Sequence, residues 1–420
     1  VKNTVRAGDA PRSFAPAWVM LLALCSAFAL SQSFRTVAAI LAPPLQAQFH
    51  LSAQQLGLFA GAFHFAFGAL QFFMGMGIDV HGLRRTVLVA FPLAIAGAVL
   101  SAMAQSFPVL VMGQVLIGIG CAPAFLVCTV FIARHFPPEQ FASVSGLTMG
   151  LGSVGMLLTG TPLAWLVDTT SWRAGFVALA LCSLAAWLLM AWKVREPAIT
   201  LAPAPSMWAA LKSYGALFAL PHTLGILALA SVTYAAFISL RGLWLGPLLV
   251  ERHGFSLVES GNIALVVSIV GLVGPPLFGR YDPGPASRRR WIVAFTLCVA
   301  AGFLLMALAP TATIDVAVML VVGVLSGYIV LQYADTKAAY PAEMAGRALA
   351  LFTMAMFLGV AVMQWLTGAV ASLAKAHGLD PFVAVLLTIA GLLGAGAAAF
   401  AWLPRPPRAA DGASTFRSRA

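Results

Sequence analysis

Twelve apolar runs, each about long enough to cross a bilayer, dominate this sequence. They lie near 17–43, 54–78, 86–105, 108–133, 141–166, 174–192, 220–249, 258–279, 291–309, 314–334, 346–373 and 382–403, bounded by charges or by Pro/Gly clusters. A hydrocarbon core about 30 Å thick takes about 20 apolar residues as a helix. Inside it each backbone N–H and C=O must be satisfied within the protein, which for runs of this length means α-helix. The composition agrees: 9% of the residues are charged and the mean hydropathy is +0.95, against roughly 25% charged in soluble domains. The chain is therefore expected to be an all-α integral membrane protein.

Charge then sets topology. Nineteen of the 24 Lys and Arg fall on one side of the alternating spans, three (Arg173, Arg252 and Lys375) on the other, and two (Arg35 and Arg241) inside spans. The positive-inside rule predicts both termini in the cytoplasm. It also accounts for the net charge of +11 without invoking nucleic acid. The five cysteines all fall in apolar segments with no CxxC, and buried thiols rather than disulfides or metal ligands are expected. A polar start running into a long apolar stretch from Trp18 to Pro43 argues against a cleavable signal peptide.

One stretch occurs twice. Ser33-Phe34-Arg35, Pro43-Pro44 and Ser52…Gly57 are echoed by Ser239-Leu240-Arg241, Pro247 and Ser256…Gly261. Phe136-Pro137-Pro138-Glu139 is echoed by Tyr340-Pro341-Ala342-Glu343 at the same offset of 204 residues, whereas Arg35 and Arg241 are separated by 206. On uniform helices two residues is about 3 Å along the axis and roughly 200° around it. Either a small insertion separates each arginine from its proline, or the two arginines face different surroundings. The repeat predicts two pseudo-symmetric six-helix bundles: a segment 1–16, a first bundle 17–192, a linker 193–219, a second bundle 220–403 and a tail 404–420. Parallel repeats of this kind place a substrate site near the midplane where the halves meet.

The loop after the second span reads Gly75-Met76-Gly77-Ile78-Asp79-Val80-His81-Gly82-Leu83-Arg84-Arg85. It resembles the helix 2–3 loop of the major facilitator superfamily at Gly75, Asp79, Gly82, Arg84 and Arg85, and departs at Val80 and Leu83. Gln114…Gly118-Ile119-Gly120 is similar to a family pattern on helix 4, with glutamine where many proton-coupled members carry arginine. Ser171-Trp172-Arg173 resembles a signature opening helix 6, and Gly279-Arg280-Tyr281-Asp282 followed by Arg288-Arg289-Arg290 is a degenerate second copy of the loop. The resemblance covers about 17–403. It implies the twelve-helix fold of that family, an inner-gate role for Gly75, Asp79, Gly82, Arg84 and Arg85, and action as a monomer. Gly146, Gly150, Gly152, Gly155 and Gly160 line the fifth span and are expected to be packing surfaces, since small residues let membrane helices approach closely.

All thirteen acidic residues fall in loops, tails or near helix ends, so no carboxylate is expected at mid-membrane. Arg35 and Arg241 then lack acidic partners. One reading gives them backbone carbonyls or lets them snorkel outward; the other makes their planar forks a site for a carboxylate or phosphate. The pair resembles the arginines on helices 1 and 7 of organic-anion and organophosphate facilitators. His64 in the second span is either hydrogen-bonded to a neighbour or a titratable group in the cavity. Gln71, Tyr234, Tyr328, Gln332 and Gln364 are each candidates for substrate contact or interhelical bonding.

The expected function is a secondary transporter of the cytoplasmic membrane for a small organic anion, coupled to exchange, a proton or another cation, with His64 the candidate proton carrier. An alternative keeps the fold and carries neutral or lipophilic compounds, compatible with the phenylalanines of the second span. An intramembrane enzyme or receptor is disfavoured: no HExxH, GxSxG or P-loop is present, and no cofactor is expected.

Overall fold

A computed structural model describes residues 15–137, 140–195 and 214–404. Pro138 and Glu139 of the loop repeat, most of the linker, nearly all of the N-terminal segment and nearly all of the tail lie outside the described residues. Twelve helices are long and apolar enough to cross a membrane: α1 Ala17–Phe49, α2 Ala53–His81, α3 Leu83–Ala102, α4 Phe107–His135, α5 Ser143–Thr169, α6 Trp172–Lys193, α7 Thr223–Arg252, α8 Leu257–Arg280, α9 Pro285–Leu308, α10 Ala312–Ala339, α11 Met344–Ala376 and α12 Pro381–Trp402. No strand occurs among the described residues.

The helices alternate in direction, so their ends gather charge unequally. Arg84, Arg85, Arg134, Lys193, Arg195, Arg280, Arg288, Arg289, Arg290, Lys337 and Arg347 fall at one end, the basic end, and Arg173, Arg252 and Lys375 at the other.

The main departure from the expected boundaries is α1, which runs through Pro43 and Pro44 to Phe49 instead of stopping at 43. Proline removes the N–H that would bond the carbonyl four residues back. The freed Ala39 carbonyl lies against Gly246 of α7, so close that a Cβ there would overlap the oxygen. Pro92 in α3 is handled differently: the Leu88 carbonyl it frees accepts a hydrogen bond from the Trp187 indole of α6 at 3.0 Å. Where proline does interrupt a span, the turn tightens. α4 breaks at Ala122–Pro123, with the Ala122 N–H bonding Ile119, and α5 breaks at Thr159–Gly160, ahead of Pro162, with the Gly160 N–H bonding Leu157.

The repeat is carried by matching devices. Ser52 with Gln55 and Ser256 with Glu259 form capping boxes that open α2 and α8, each satisfying backbone donors at a helix start. Gly82 and Gly284 open α3 and α9 at φ 82° and 78°, a left-handed geometry that suits glycine. Gly155 of α5 sits on the Ala29 carbonyl of α1, and Gly359 of α11 on the Ser231 carbonyl of α7, again 204 residues apart. Arg84 donates to the Val194 and Ala191 carbonyls at the end of α6 at 2.7 and 3.1 Å. Arg289 donates to the Phe400 carbonyl near the end of α12 at 2.8 Å. In each half, the cation covers carbonyls that a helix C-terminus leaves open.

The halves meet along α2–α11 and α5–α8, with α1 crossing α7 between them. Gly57, Gly61 and Gly68 of α2 lie against Gln364, Ala361 and Phe357 of α11, and Gly160 lies against Gly261. Hydrogen bonds from Gln54 N to Ser372 Oγ (2.9 Å) and from Thr161 Oγ1 to Asn262 Oδ1 (2.7 Å) close these seams at the end away from the arginine-rich loops. Two expectations need correction. Gly152, Gly155 and Gly160 are packing contacts, but Gly146 and Gly150 face open space, because the basic-end part of α5 has no close neighbour at these positions. Cys25, Cys121 and Cys128 are buried, whereas Cys182 and Cys298 are exposed free thiols on the outward sides of α6 and α9.

Candidate functional site

Arg35 leaves α1 at its crossing with α7 and enters a collar of aromatic rings. Its guanidinium lies 4.6 Å from the centroids of both Phe67 (α2) and Phe357 (α11), and Nη1 donates to the Tyr234 hydroxyl of α7 at 3.4 Å. The residue is 6% exposed and its Nε has no partner. Among the described residues no carboxylate lies within 4.0 Å of it. A desolvated cation–π contact contributes about 2 kcal/mol, while removing an ion from water costs several. Two rings and one long hydrogen bond leave this cation under-compensated, with donors to spare.

Arg241 is treated differently. It is fully buried within a π-helical turn, Leu240–Trp244, in which the Leu245 N–H reaches back to the Leu240 carbonyl. Its Nε donates to the Ala264 carbonyl (3.1 Å) and to Ser268 Oγ (2.9 Å) of α8, and its Nη2 donates to the Met156 carbonyl of α5 (3.0 Å). The α5 break makes that acceptor accessible, because the Gly160 N–H bonds Leu157 in place of Met156. Although Gly242 packs on the Arg35 carbonyl, the two side chains part there. Arg35 points toward α2 and α11, and Arg241 toward α5 and α8. The two arginines thus face different surroundings, and in this conformation Arg241 adopts the carbonyl-partnered arrangement.

His64 and Gln364 sit on the α2–α11 seam. His64 Nδ1 pairs with the Ala60 carbonyl of its own helix at 3.1 Å, while its Nε2 and both amide atoms of Gln364 are buried without partners. Gln71 donates to the Ala122 carbonyl at the α4 break (3.1 Å). Tyr328 pairs with Thr296 (2.9 Å), and Gln332 accepts from Thr233 (3.1 Å). These contacts lie inside the second bundle. The structure therefore brings Tyr234 directly to Arg35, sets His64 and Gln364 on the neighbouring seam, and places Gln71, Tyr328 and Gln332 in interhelical bonds.

At the basic end Asp79 and Arg85 are exposed, Gly75 has room beside it, Gly82 forms the turn, and Arg84 is bound to α6. In the second copy of the loop, Arg288 clamps Asp282 in a fork with contacts of 2.6, 3.0 and 3.2 Å. This hydrogen-bonded pairing holds the Asp282 carboxyl below the usual carboxylate range.

Several features escaped the sequence. Phe67 and Phe357 read as two of many phenylalanines. Asp315 and Asp335 do lie toward helix ends, yet they are 0% and 8% exposed, so distance from the midplane does not mean contact with water. Asp315 accepts from His253 at 2.7 Å and faces Arg252 at 3.6 Å, and Arg252 also pairs with Asp380 at 3.3 Å. This network ties the end of α7 to the starts of α10 and α12. The polar residues beside these apolar runs were the available signal. Among the described residues, no cluster of His, Cys, Asp or Glu is arranged to hold a metal ion.

Comparison with known proteins places this geometry in context. The chain is 28% identical over 248 residues to the hexuronate transporter of Bacillus subtilis, matching 57% of this chain and 58% of that one. It is 25% identical over 178 residues to the probable sulfoacetate transporter SauU of Cupriavidus necator, matching 42% and 41%. The matched segments thus span about half the length of these curated relatives. The crystal structure of a D-xylose-proton symporter superposes with a TM-score of 0.71 at 16% identity, covering 93% of this chain and 98% of that one, a likeness of fold. The Major Facilitator Superfamily model matches residues 23–363, both bundles included, and the chain belongs to that family.

Proposed function

We propose that this chain is a secondary transporter carrying a small organic anion across the cytoplasmic membrane by alternating access. The bundles at 17–192 and 220–403 rock about a site between them. The observation that carries this reading is Arg35: a buried guanidinium in an aromatic collar, with an unpartnered Nε and no carboxylate nearby among the described residues. A carboxylate supplies the missing charge and accepts bidentate hydrogen bonds from a planar fork. The names of the hexuronate and sulfoacetate transporters support an anionic cargo. Tyr234 holds one edge of the fork, and His64 and Gln364 offer further polar groups beside it.

The excess of Lys and Arg at one end supports a cytoplasmic basic end with both termini inside. Asp79, Gly75, Gly82, Arg84 and Arg85 serve the inner gate. Because Arg84 is bound to the end of α6, that loop travels with the first bundle as one body. Both bundles and the site come from one chain, consistent with action as a monomer.

Counterflow of a labelled hexuronate in proteoliposomes tests the reading, with sulfoacetate as a second probe. Removing one partner of a buried charge pair costs about 2–5 kcal/mol, so Arg35→Gln should weaken apparent affinity at least about 30-fold. Arg35→Lys, which keeps the charge and loses the fork, should fall between. Undiminished affinity in Arg35→Gln would instead assign the site to a neutral or lipophilic cargo.

A further inference from the structure

The second bundle contains a buried carboxylate that anion binding does not use. Asp335, on the basic-end half of α10, is 8% exposed and its Oδ2 makes no hydrogen bond. It lines a narrow pocket with Gln332 and Thr336 of α10, Leu229 of α7, Phe352 of α11 and Phe400 of α12. Gln332, 2% exposed, contributes an amide nitrogen that is likewise without a partner. Two unmet polar groups therefore share one apolar enclosure. Leaving a buried acceptor unmade costs about 1–3 kcal/mol, and more when it is charged.

We infer that Asp335 is the binding site for a proton that travels with the anion. The pocket is too tight to admit a water-sized sphere, which excludes a hydrated metal cation, and a bare metal ion would need several oxygen ligands that are not there. A proton needs only a lone pair. An O–H bond forms at a carboxyl oxygen of Asp335, turning an acceptor into a donor. The proton comes from water on one side of the membrane and is released on the other, and no electrons move. One proton with a monoanion makes the translocated charge zero.

The groups around Asp335 couple this event to the anion site. Arg289 Nη1 of α9 lies 4.0 Å from Oδ2, a loose ion pair that protonation weakens. Arg288, also on α9, is committed to Asp282. His222, at the start of α7, packs on Tyr340 with ring centroids 4.9 Å apart. α11 and α12 present only phenylalanines to the pocket. One helical turn from Asp335, the Gln332 carbonyl oxygen holds Thr233 at 3.1 Å, and the next residue, Tyr234, holds Arg35. A proton at Asp335 thus acts on the α10–α7 contact that positions the anion's anchor.

This inference rests on the anion-transport reading, and proteoliposomes carrying an internal pH dye separate the two. The wild-type protein should accumulate labelled hexuronate under an inward proton gradient and acidify the lumen. Asp335→Asn should lose accumulation at least about tenfold and stop proton entry, while counterflow at equal pH stays within about twofold. His64→Gln should keep proton entry. Asp335→Glu, which retains the carboxyl one methylene further out, should stay coupled with a displaced pH midpoint, and it serves as the test if Asp335→Asn fails to insert. Gradient-driven accumulation in Asp335→Asn equal to wild type would overturn the inference, as would loss of counterflow in a folded Asp335→Asn or an unmoved midpoint in Asp335→Glu. Absence of counterflow in the wild type would overturn the transport reading itself, and this inference with it.

Discussion

Arg35 and Arg241 show what one residue's identity conveys and what it leaves open. Each read as an intramembrane cation needing a partner. For Arg241 the partners are carbonyls of α5 and α8, set by a π-helical turn and a helix break that no local pattern announces. For Arg35 the collar comes from Phe67 and from Phe357, a long way off in sequence, and only tertiary packing brings them together. The pairing of Trp187 with the Leu88 carbonyl is of the same kind. Pro92 is visible in the sequence as a helix defect, but its remedy lies in another helix. Trp187→Phe should destabilise the purified protein by about 1 kcal/mol, the usual net worth of such a hydrogen bond. In a Pro92→Ala background, where the restored backbone N–H can bond the Leu88 carbonyl again, the loss should be smaller. Thermal unfolding of the four proteins checks the non-additivity.

Among the elements, the spans themselves were legible because a bilayer asks for one thing, a run of apolar residues of fixed length. Eleven of the twelve came out close to their expected ends. The exception, α1, failed at Pro43-Pro44, where the rule that proline ends a helix gave way to burial of the freed carbonyl against Gly246. The glycines of α5 illustrate the same limit: their role as packing surface was legible, but not which of them touch anything. Gly155→Ala should cost about 1–3 kcal/mol, the range for overpacking, since its methyl would meet the Ala29 carbonyl. Gly146→Ala, with nothing within 4 Å, should be neutral or stabilising by up to about 1 kcal/mol from helix propensity. Melting temperatures in detergent separate the two.

For the whole molecule, the 204-residue offset made the two-bundle plan readable, and the capping boxes and positive-φ glycines recur in both halves. The relation of the bundles to each other was not readable, because it depends on which faces meet. Arg241 is one answer: carried by the second bundle, it grips a carbonyl of the first. Its fork should help hold the α5–α8 seam shut. In a Thr161→Cys background, Arg241→Gln should speed thiol labelling at position 161 from the aqueous phase several-fold, with labelling of the exposed Cys182 and Cys298 as the internal reference. Equal rates would remove Arg241 from the closure. The rest of that seal is glycine against backbone, at Gly57 with Gln364 and at Gly160 with Gly261, joined by hydrogen bonds between uncharged side chains. Such contacts present no charge for dissolved ions to screen, whereas exposed ion pairs lose strength over a Debye length of about 8 Å at 0.15 M salt. Opening at this end should therefore proceed alike in dilute and concentrated electrolyte, making it a closure indifferent to the ionic strength of the medium it faces.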